Sequence, residues 1–451
     1  MNASSSRRAA CANALRALTL GLLAASLATL GPGIASAAIF TVADGDVAGL
    51  IAAIHQANAT AGGHTIDLAP AGNYTLSSVD NGNLGLPVVT GQITLNGHGS
   101  TIQRSGAPAT PEFRIFHIEY GQLTLNQVHI RGGKGGYGAG VGNFRGHLTV
   151  SRSTISHNDG QGLASNPLGE GAGVFNLCGT VLVVNSTISH NRSYGGYGGG
   201  GILNFSSFCT ATTTVVSSTI FENRADGPAG FAGRGDGIAD AFSAAGSVVL
   251  KNSIVASPTQ GLGNSCYAAA LASAGHNIVG DASCTSAGSG DLSGKDPLLG
   301  LLANNGGATP THAPLAGSPA LDAVPVADCT DATGAPLTAD QRGVTRPKGP
   351  ACDIGSVELI RTPRDLTASI IDQVNALIGA GTLTTGQGAG LIAKLEAVIA
   401  KLNRGPNGPA CNQLKAFRNQ VQAFMNSAAL TQAQGQALIA TAAVVESQLG
   451  C

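Results

Sequence analysis

The sequence predicts a coil of parallel β-sheet, a β-helix or solenoid, followed by a small all-α module, and three observations carry that prediction. The hexapeptide STISHN stands at 153–158 and again at 186–191, with STIFEN at 218–223. A period of roughly 20 to 50 residues marks a repeat architecture in which each unit buries its apolar face against its neighbours. Between these hexapeptides, apolar and small residues alternate with period two in short runs, which is strand patterning. From about Pro363 the apolar spacing changes to three and four, which is helical.

Taken in order, the chain opens with Arg7, Arg8 and Arg16, an apolar run from Leu18 to Leu30, and Ala35-Ser36-Ala37. That is the charged, apolar and small-residue order of a cleavable secretory signal peptide, placed at 1–37. A stop-transfer anchor is the rival reading; Gly and Pro at 31–33 oppose it, and no later apolar run is long enough to span a bilayer. The expectation is a monomer that is secreted or held at the outer cell surface, with no transmembrane anchor once the signal is removed. Removal takes three of the 24 basic residues and none of the 25 acidic ones, leaving a net charge of about −4. No basic nucleic-acid footprint remains.

Cys11 leaves with the signal. The other eight cysteines, in an exported chain, read as disulfides, and no pair has the CxxC spacing of a zinc site. Cys178 lies ten residues before Ile188 and Cys209 eleven before Ile220, so they occupy nearly the same place on successive coils. Parallel strands about 4.8 Å apart fall within the Cα separation of roughly 4.4–6.8 Å that a disulfide accepts. Because each coil touches only the next, pairing is expected between sequence neighbours: Cys178 with Cys209, Cys266 with Cys284, Cys329 with Cys352 and Cys411 with Cys451.

Each repeat unit opens on a glycine motif: Gly-Ala-Gly-Val at 138–141 and 171–174, Gly-Gly-Gly-Ile at 199–202, Gly-Asp-Gly-Ile at 235–238. Alternating residues follow (Leu148 and Val150; Val181 and Val183; Thr213 and Val215; Ser247 and Val249), then Ile155, Ile188, Ile220 or Ile254. The segments GQITLNGHGSTI at 91 and GQLTLNQVHI at 121 look like shorter units. A propeller would need antiparallel hairpins with Asn-Gly turns, which are missing here. Asn158, Asn191 and Asn223 recur at one corner, where a left-handed turn suits Asn and its amide can bond the Asn of the next coil.

On these residues the coils resemble the pectate-lyase-like right-handed parallel β-helix superfamily. The stretches GHNIVGDASC at 275, KDPLLGLLANNGGATPTHAPLAGSPALDA at 295 and DQRGVTRPKGPACDIGSVE at 340 resemble the bacterial secreted choice-of-anchor Q domain proteins. The resemblance implies a right-handed β-helix over 38–361 with a C-terminal cap, and little about chemistry. Within it, His312, Asp340, Arg342, Arg346 and Asp353 belong to the end motif and are expected to lock the cap. At 362–451, LTTGQGAGLIAKLEAVI at 383–399 repeats as LTQAQGQALIATAAVVE at 430–446, and Thr384 with Gln387 and Thr431 with Gln434 have capping-box spacing. This stretch resembles the four-helix FIMAH module appended to secreted bacterial proteins.

Chemistry is sought where loops vary on a rigid repeat. The segments 159–172, 192–200 and 224–236 carry Asp159, Glu170, Arg192, Tyr194, Tyr197 and Asp226 as binding candidates, with Arg224 and Asp236 as catalytic ones and Arg234 beside them, in a chain of only 11% charged residues. His157, His190 and Glu222 precede the corner Asn on three successive coils and should form a row. Two imidazoles and a carboxylate in line could share a proton or hold a divalent cation, calcium among them. A row of polar corner residues bonded to water is the plainer reading, since an inline stack matches a facial metal triad poorly.

The Gly-His-Gly at 97–99 is shared with polygalacturonases, but their paired aspartates and Arg-x-Lys are missing; Arg346-Pro347 is a fragment of a pectate lyase motif. Binding of extracellular polysaccharide or a cell-surface glycan is the first functional expectation. A β-helix polysaccharide lyase or glycoside hydrolase is the second, and a structural envelope protein or adhesin the third. Sugar stacking uses aromatic rings, and with no Trp and 4% aromatic residues the composition favours none of these strongly.

Overall fold

A computed structural model describes residues 37–161, 169–207, 209–227, 234–242, 247–257, 264–267, 271–284, 288–403 and 407–451. The signal peptide expected at 1–37 lies outside the described residues but for Ala37.

Residues of period two become short strands, and every strand pairs in parallel with its counterpart one coil on. The result is a parallel β-solenoid of about seven turns. Each central coil contributes four strands to three sheets, two of them to the largest, where His147–Ser151, Thr180–Val184 and Thr212–Val216 accompany the flank strands. The opening sheet holds Val141–Phe144, Val174–Leu177, Ile202–Phe205 and Ile238–Ala241. The flank sheet holds Thr154–Ser156, Thr187–Ser189, Thr219–Phe221 and Ile254–Ala256. A small edge sheet pairs Asp159–Gly160, Arg192–Ser193 and Arg224–Ala225. The inward residues stack into one core column that includes Val150, Ile155, Val183, Ile188, Val215 and Ile220, all fully buried.

STISHN can now be read position by position. Ser153 and Ser186 each accept, through Oγ, the backbone N–H of a neighbouring coil, Val128 onto Ser153 and Ser153 onto Ser186, both at 3.1 Å. Thr and the second Ser face outward on the flank sheet, and Ile enters the core. The corner Asn is buried: Asn158 Nδ2 donates to Asn191 Oδ1 and Asn191 Nδ2 to Asn223 Oδ1, each at 2.9 Å. The left-handed residue is not this Asn, as the sequence suggested, but the one before it: φ is 54° at His157, 56° at His190 and 53° at Glu222. The amide is needed inside the ladder, so the strained backbone falls on the residue whose side chain points outward.

The fourth unit also departs from expectation, by one residue. Thr213 and Val215 pair with Val248 and Leu250, not Ser247 and Val249, and Ile220 pairs with Val255, not Ile254. Ser253 sets this register by continuing the serine ladder, its Oγ accepting from Ser218 N at 3.2 Å. A one-residue slip turns Ile254 outward, where it packs with Ala320, Val324 and Ile354.

At the amino-terminal end, helix α1 (Val47–Ala59) was not foreseen, although Leu50, Ala53, Ile54 and Ala57 have helical spacing. Asp46 caps it by accepting from Gly49 N, and those four residues join the core column. The two early segments are longer than short units: Gln92–Arg104 is one bulged strand paired with Gln122–Arg131.

After the last coil the chain folds back along the flank sheet and does not merely close the end. Thr154 Oγ1 donates to Pro310 O at 2.6 Å, Thr187 Oγ1 to Gln341 Oε1 at 2.7 Å, and Ser356 N donates to Thr219 Oγ1 at 3.0 Å. The returning segment is braced internally by Arg346, which donates to Glu358 Oε2 and to the carbonyls of Asp353 and Gly355, and by Arg342 on Asp340.

The carboxy-terminal residues form four helices: α2 (Pro363–Gly379), α3 (Thr385–Leu402), α4 (Gly408–Asn426) and α5 (Gln432–Leu449). Thr384 with Gln387 and Thr431 with Gln434 make the expected capping boxes, and Thr362 with Asp365 makes a third. Leu366, Ile370, Leu391, Leu395, Phe417 and Leu438 build a separate core. All four disulfides are formed as sequence neighbours, with Cα separations of 5.4, 5.1, 6.2 and 5.7 Å from the first pair to the last. Among the described residues no helix is long and apolar enough to cross a membrane.

Candidate functional site

The corner geometry places His157, His190 and Glu222 one coil apart with their side chains outward. The imidazoles of His157 and His190 stack in parallel at 4.8 Å between centroids, and His190 Nε2 lies 2.8 Å from Glu222 Oε2. The row is therefore formed. A fourth member comes from the returning segment: His312, whose ring lies parallel to that of His190 at 5.7 Å. The sequence assigned His312 to locking the end motif, and its Nδ1 does face the Gly300 carbonyl at 2.8 Å. Its Nε2 meets Ser189 Oγ at 2.7 Å, and the same hydroxyl meets His190 Nδ1 at 2.6 Å.

Burial sets the charge here. It pushes His312 down to about 4, helped by His190 and His157. It also lowers His157, with His190 and Arg131 adding to the effect. One coil back, His129 is pushed down to about 3 by burial and by Arg131 and His157; its Nε2 rests 2.7 Å from Ser156 Oγ. Ser189 is fully buried beneath this cluster, so it cannot act as a nucleophile on a polymer.

Two residues beyond the row, the edge sheet aligns Asp159, Arg192 and Arg224 in register. Asp226 pairs with both arginines through their Nε, and the Arg192 guanidinium lies 4.8 Å from the Tyr194 ring centre. Glu170 and Asp236 are buried instead of presented. Glu170 Oε1 accepts from Tyr197 N at 3.2 Å, Asp236 Oδ1 accepts from Ala225 N at 2.8 Å, and burial raises both carboxyls. Apart from Tyr197 and Arg234, the expected residues thus fall into three groups: the histidine row, the Arg–Asp edge with Asp236 bonded to its strand at Ala225, and Glu170, which bonds the backbone of Tyr197.

A fourth group was missed. In the opening sheet Asn143, Asn176, Asn204 and Asp240 form a second buried ladder, with successive contacts of 2.8, 2.8 and 2.9 Å. The residue next to each ladder Asn must then face outward, and these residues include Phe144, Phe175 and Phe205. Their rings run along the sheet at 5.5 and 6.0 Å. Tyr137 meets Phe175 at 5.0 Å, while Tyr197 and Phe242 each meet Phe205 at 5.2 Å. Phe242 is 63% exposed and Tyr197 37%. The Arg114 guanidinium sits 5.5 Å over Phe144, and that of Arg234 4.9 Å over Tyr267. The signal was in the sequence as GNF at 142–144, FNL at 175–177 and LNF at 203–205, read there only as part of the unit's opening.

No protein-family model, no curated protein and no solved structure matches this chain. The parallel β-solenoid is compatible with polysaccharide-binding or lyase-type proteins, and four disulfides fit an extracellular environment.

Proposed function

We propose that this is an exported protein whose β-helix binds extracellular polysaccharide through the aromatic face of its opening sheet. The observation that carries this reading is the convergence of Tyr137, Phe144, Phe175, Tyr197, Phe205 and Phe242 on one face in a chain with so few aromatic residues. Phe175 is buried and Tyr137, Phe144 and Phe205 are partly buried, so the rings a ligand would meet are Tyr197 and Phe242; the C–H faces of sugar rings pack on such rings. Arg234, stacked on Tyr267 at the margin, supplies a cation for an acidic glycan. The terminal motifs at 275, 295 and 340 support placing the solenoid with the choice-of-anchor Q proteins, and the repeat in the last four helices supports reading them as a FIMAH-like docking module.

The test is retention on a panel of immobilised acidic and neutral polysaccharides, with Tyr197→Ala and Phe242→Ala combined. A roughly tenfold loss of affinity in a variant that melts like the parent supports the reading. Undiminished retention overturns the aromatic face as the site. Release of unsaturated sugar, seen as ultraviolet absorbance, would instead support a lyase.

A further inference from the structure

We infer that His190, Glu222 and His312 form a binding site for a zinc-class divalent transition metal, which clasps the returning segment to the coils. Their donor atoms all lie within 4.8 Å of one another. A line of three residues on one ladder would suit a metal badly. His312 changes that, because it arrives from a different segment and turns the line into a triangle.

Proton counting leaves the gap between His190 and Glu222 to a proton or a metal cation. The Gly300 carbonyl can only accept, so His312 Nδ1 carries the proton and its Nε2 offers a lone pair. Ser189 Oγ accepts from His190 Nδ1–H, and in the metal-free fold its own proton rests on the His312 lone pair, a hydrogen bond that a metal bound at His312 Nε2 displaces. His190 Nε2 is then left facing a carboxylate oxygen 2.8 Å away, and two lone pairs cannot share that space without a proton or a metal between them. No hydrogen-bond donor is aligned on Glu222 Oε2, although the atom is buried.

The surrounding bonds are those a metal site uses. Each ligating histidine should hold its other ring nitrogen on an acceptor; His312 has Gly300 O and His190 has Ser189 Oγ. Two imidazoles and one carboxylate suit zinc and its neighbours, whereas calcium takes oxygen donors alone. Zinc at about 2.0–2.1 Å from each donor brings donors to roughly 3.3 Å apart. The half-buried side chains of His190 and Glu222, 32% and 24% exposed, have room to part slightly from 2.8 Å and to draw toward His312, and the open side leaves a position for water.

The experiment uses tag-free full-length protein, stripped with chelator and titrated with Zn2+ and with Ca2+ by calorimetry, followed by Co2+ for its visible ligand-field absorption. One Zn2+ per chain, little heat from Ca2+, a cobalt band of imidazole and carboxylate ligation, and a rise in melting temperature on adding Zn2+ are expected. Glu222→Gln keeps the size of the side chain and should weaken Zn2+ binding by about tenfold or more while the metal-free melting curve stays where it was. His312→Ala should abolish the cobalt band; if it does not fold, His190→Gln serves the same purpose. Absence of stoichiometric Zn2+ binding by the folded parent overturns the site. So does unchanged affinity in both Glu222→Gln and His190→Gln, or Ca2+ displacing Zn2+ at equal concentration.

Discussion

The flank sheet and the opening sheet are two walls of one coil, built alike and finished differently. Each holds a buried ladder of asparagines, Asn158 to Asn223 in one and Asn143 to Asn204 in the other. Outward from its ladder the flank sheet shows hydroxyls, and residues 309–356 of the same chain lie on them through directed hydrogen bonds. The opening sheet shows rings and leaves Tyr197 and Phe242 open. A hydroxyl needs one partner at one angle, which a covalently attached segment supplies with fixed register. An aromatic surface offers area without direction, which suits a ligand that is mobile and repetitive.

The comparison can be broken hardest behind both walls. Ile188→Ala empties the core column between them and should cost about 2–5 kcal/mol, read as a drop in the urea midpoint; a smaller cost would mean that the coil collapses around the cavity. Next come the ladders. Asn191→Ala and Asn176→Ala each strip buried donors of their acceptor, at about 1–3 kcal/mol per orphaned group, and comparable losses are expected from the two walls. A silent Asn176 would show that the opening sheet is held by its rings.

The outward residues sharpen the contrast. Thr187→Val removes the hydroxyl shared by Gln341 and Ser356 and should cost about 1–3 kcal/mol. Phe242→Ala should change stability by no more than about 0.5 kcal/mol and show itself only in glycan retention.

A separate effect, spread over a range of pH, comes from protonation. His129 titrates at about 3 in the fold, against an ordinary value near 6.5, so the unfolded chain takes up a proton first as pH falls. Its contribution is complete above about 6.5 and is lost progressively toward 3. Urea midpoints across that window should fall less steeply in His129→Gln than in the parent, and parallel curves would remove His129 from the account.

Much of this was legible because a solenoid's contacts have a fixed sequence separation. The Cys178–Cys209 bridge, the stacked Ile155, Ile188 and Ile220, the asparagine ladder and the row of His157, His190 and Glu222 all follow from aligning one unit with the next. The fourth unit slipped by one residue because Ile254 imitates the core isoleucine, whereas the ladder bond of Ser253 sets the register. Helix α1 was visible in its spacing but hidden by the expectation of strands. The capping boxes of α3 and α5 were readable since a cap spans only three residues.

By itself, then, the sequence determined the parallel coil, its Cys178–Cys209 bridge, the helical module and which residues share a row, since all of these are contacts between adjacent units or within a turn. The tertiary structure alone decided that the end segment lies on the flank sheet, that His312 joins His190 and Glu222, and that Phe144, Phe175, Phe205, Tyr197 and Phe242 share a face. The Ser189–His312 contact joins residues 123 positions apart, a separation no repeat encodes. It forms only because hydroxyls on one wall and acceptors on the returning segment reach each other once the coil has been wound.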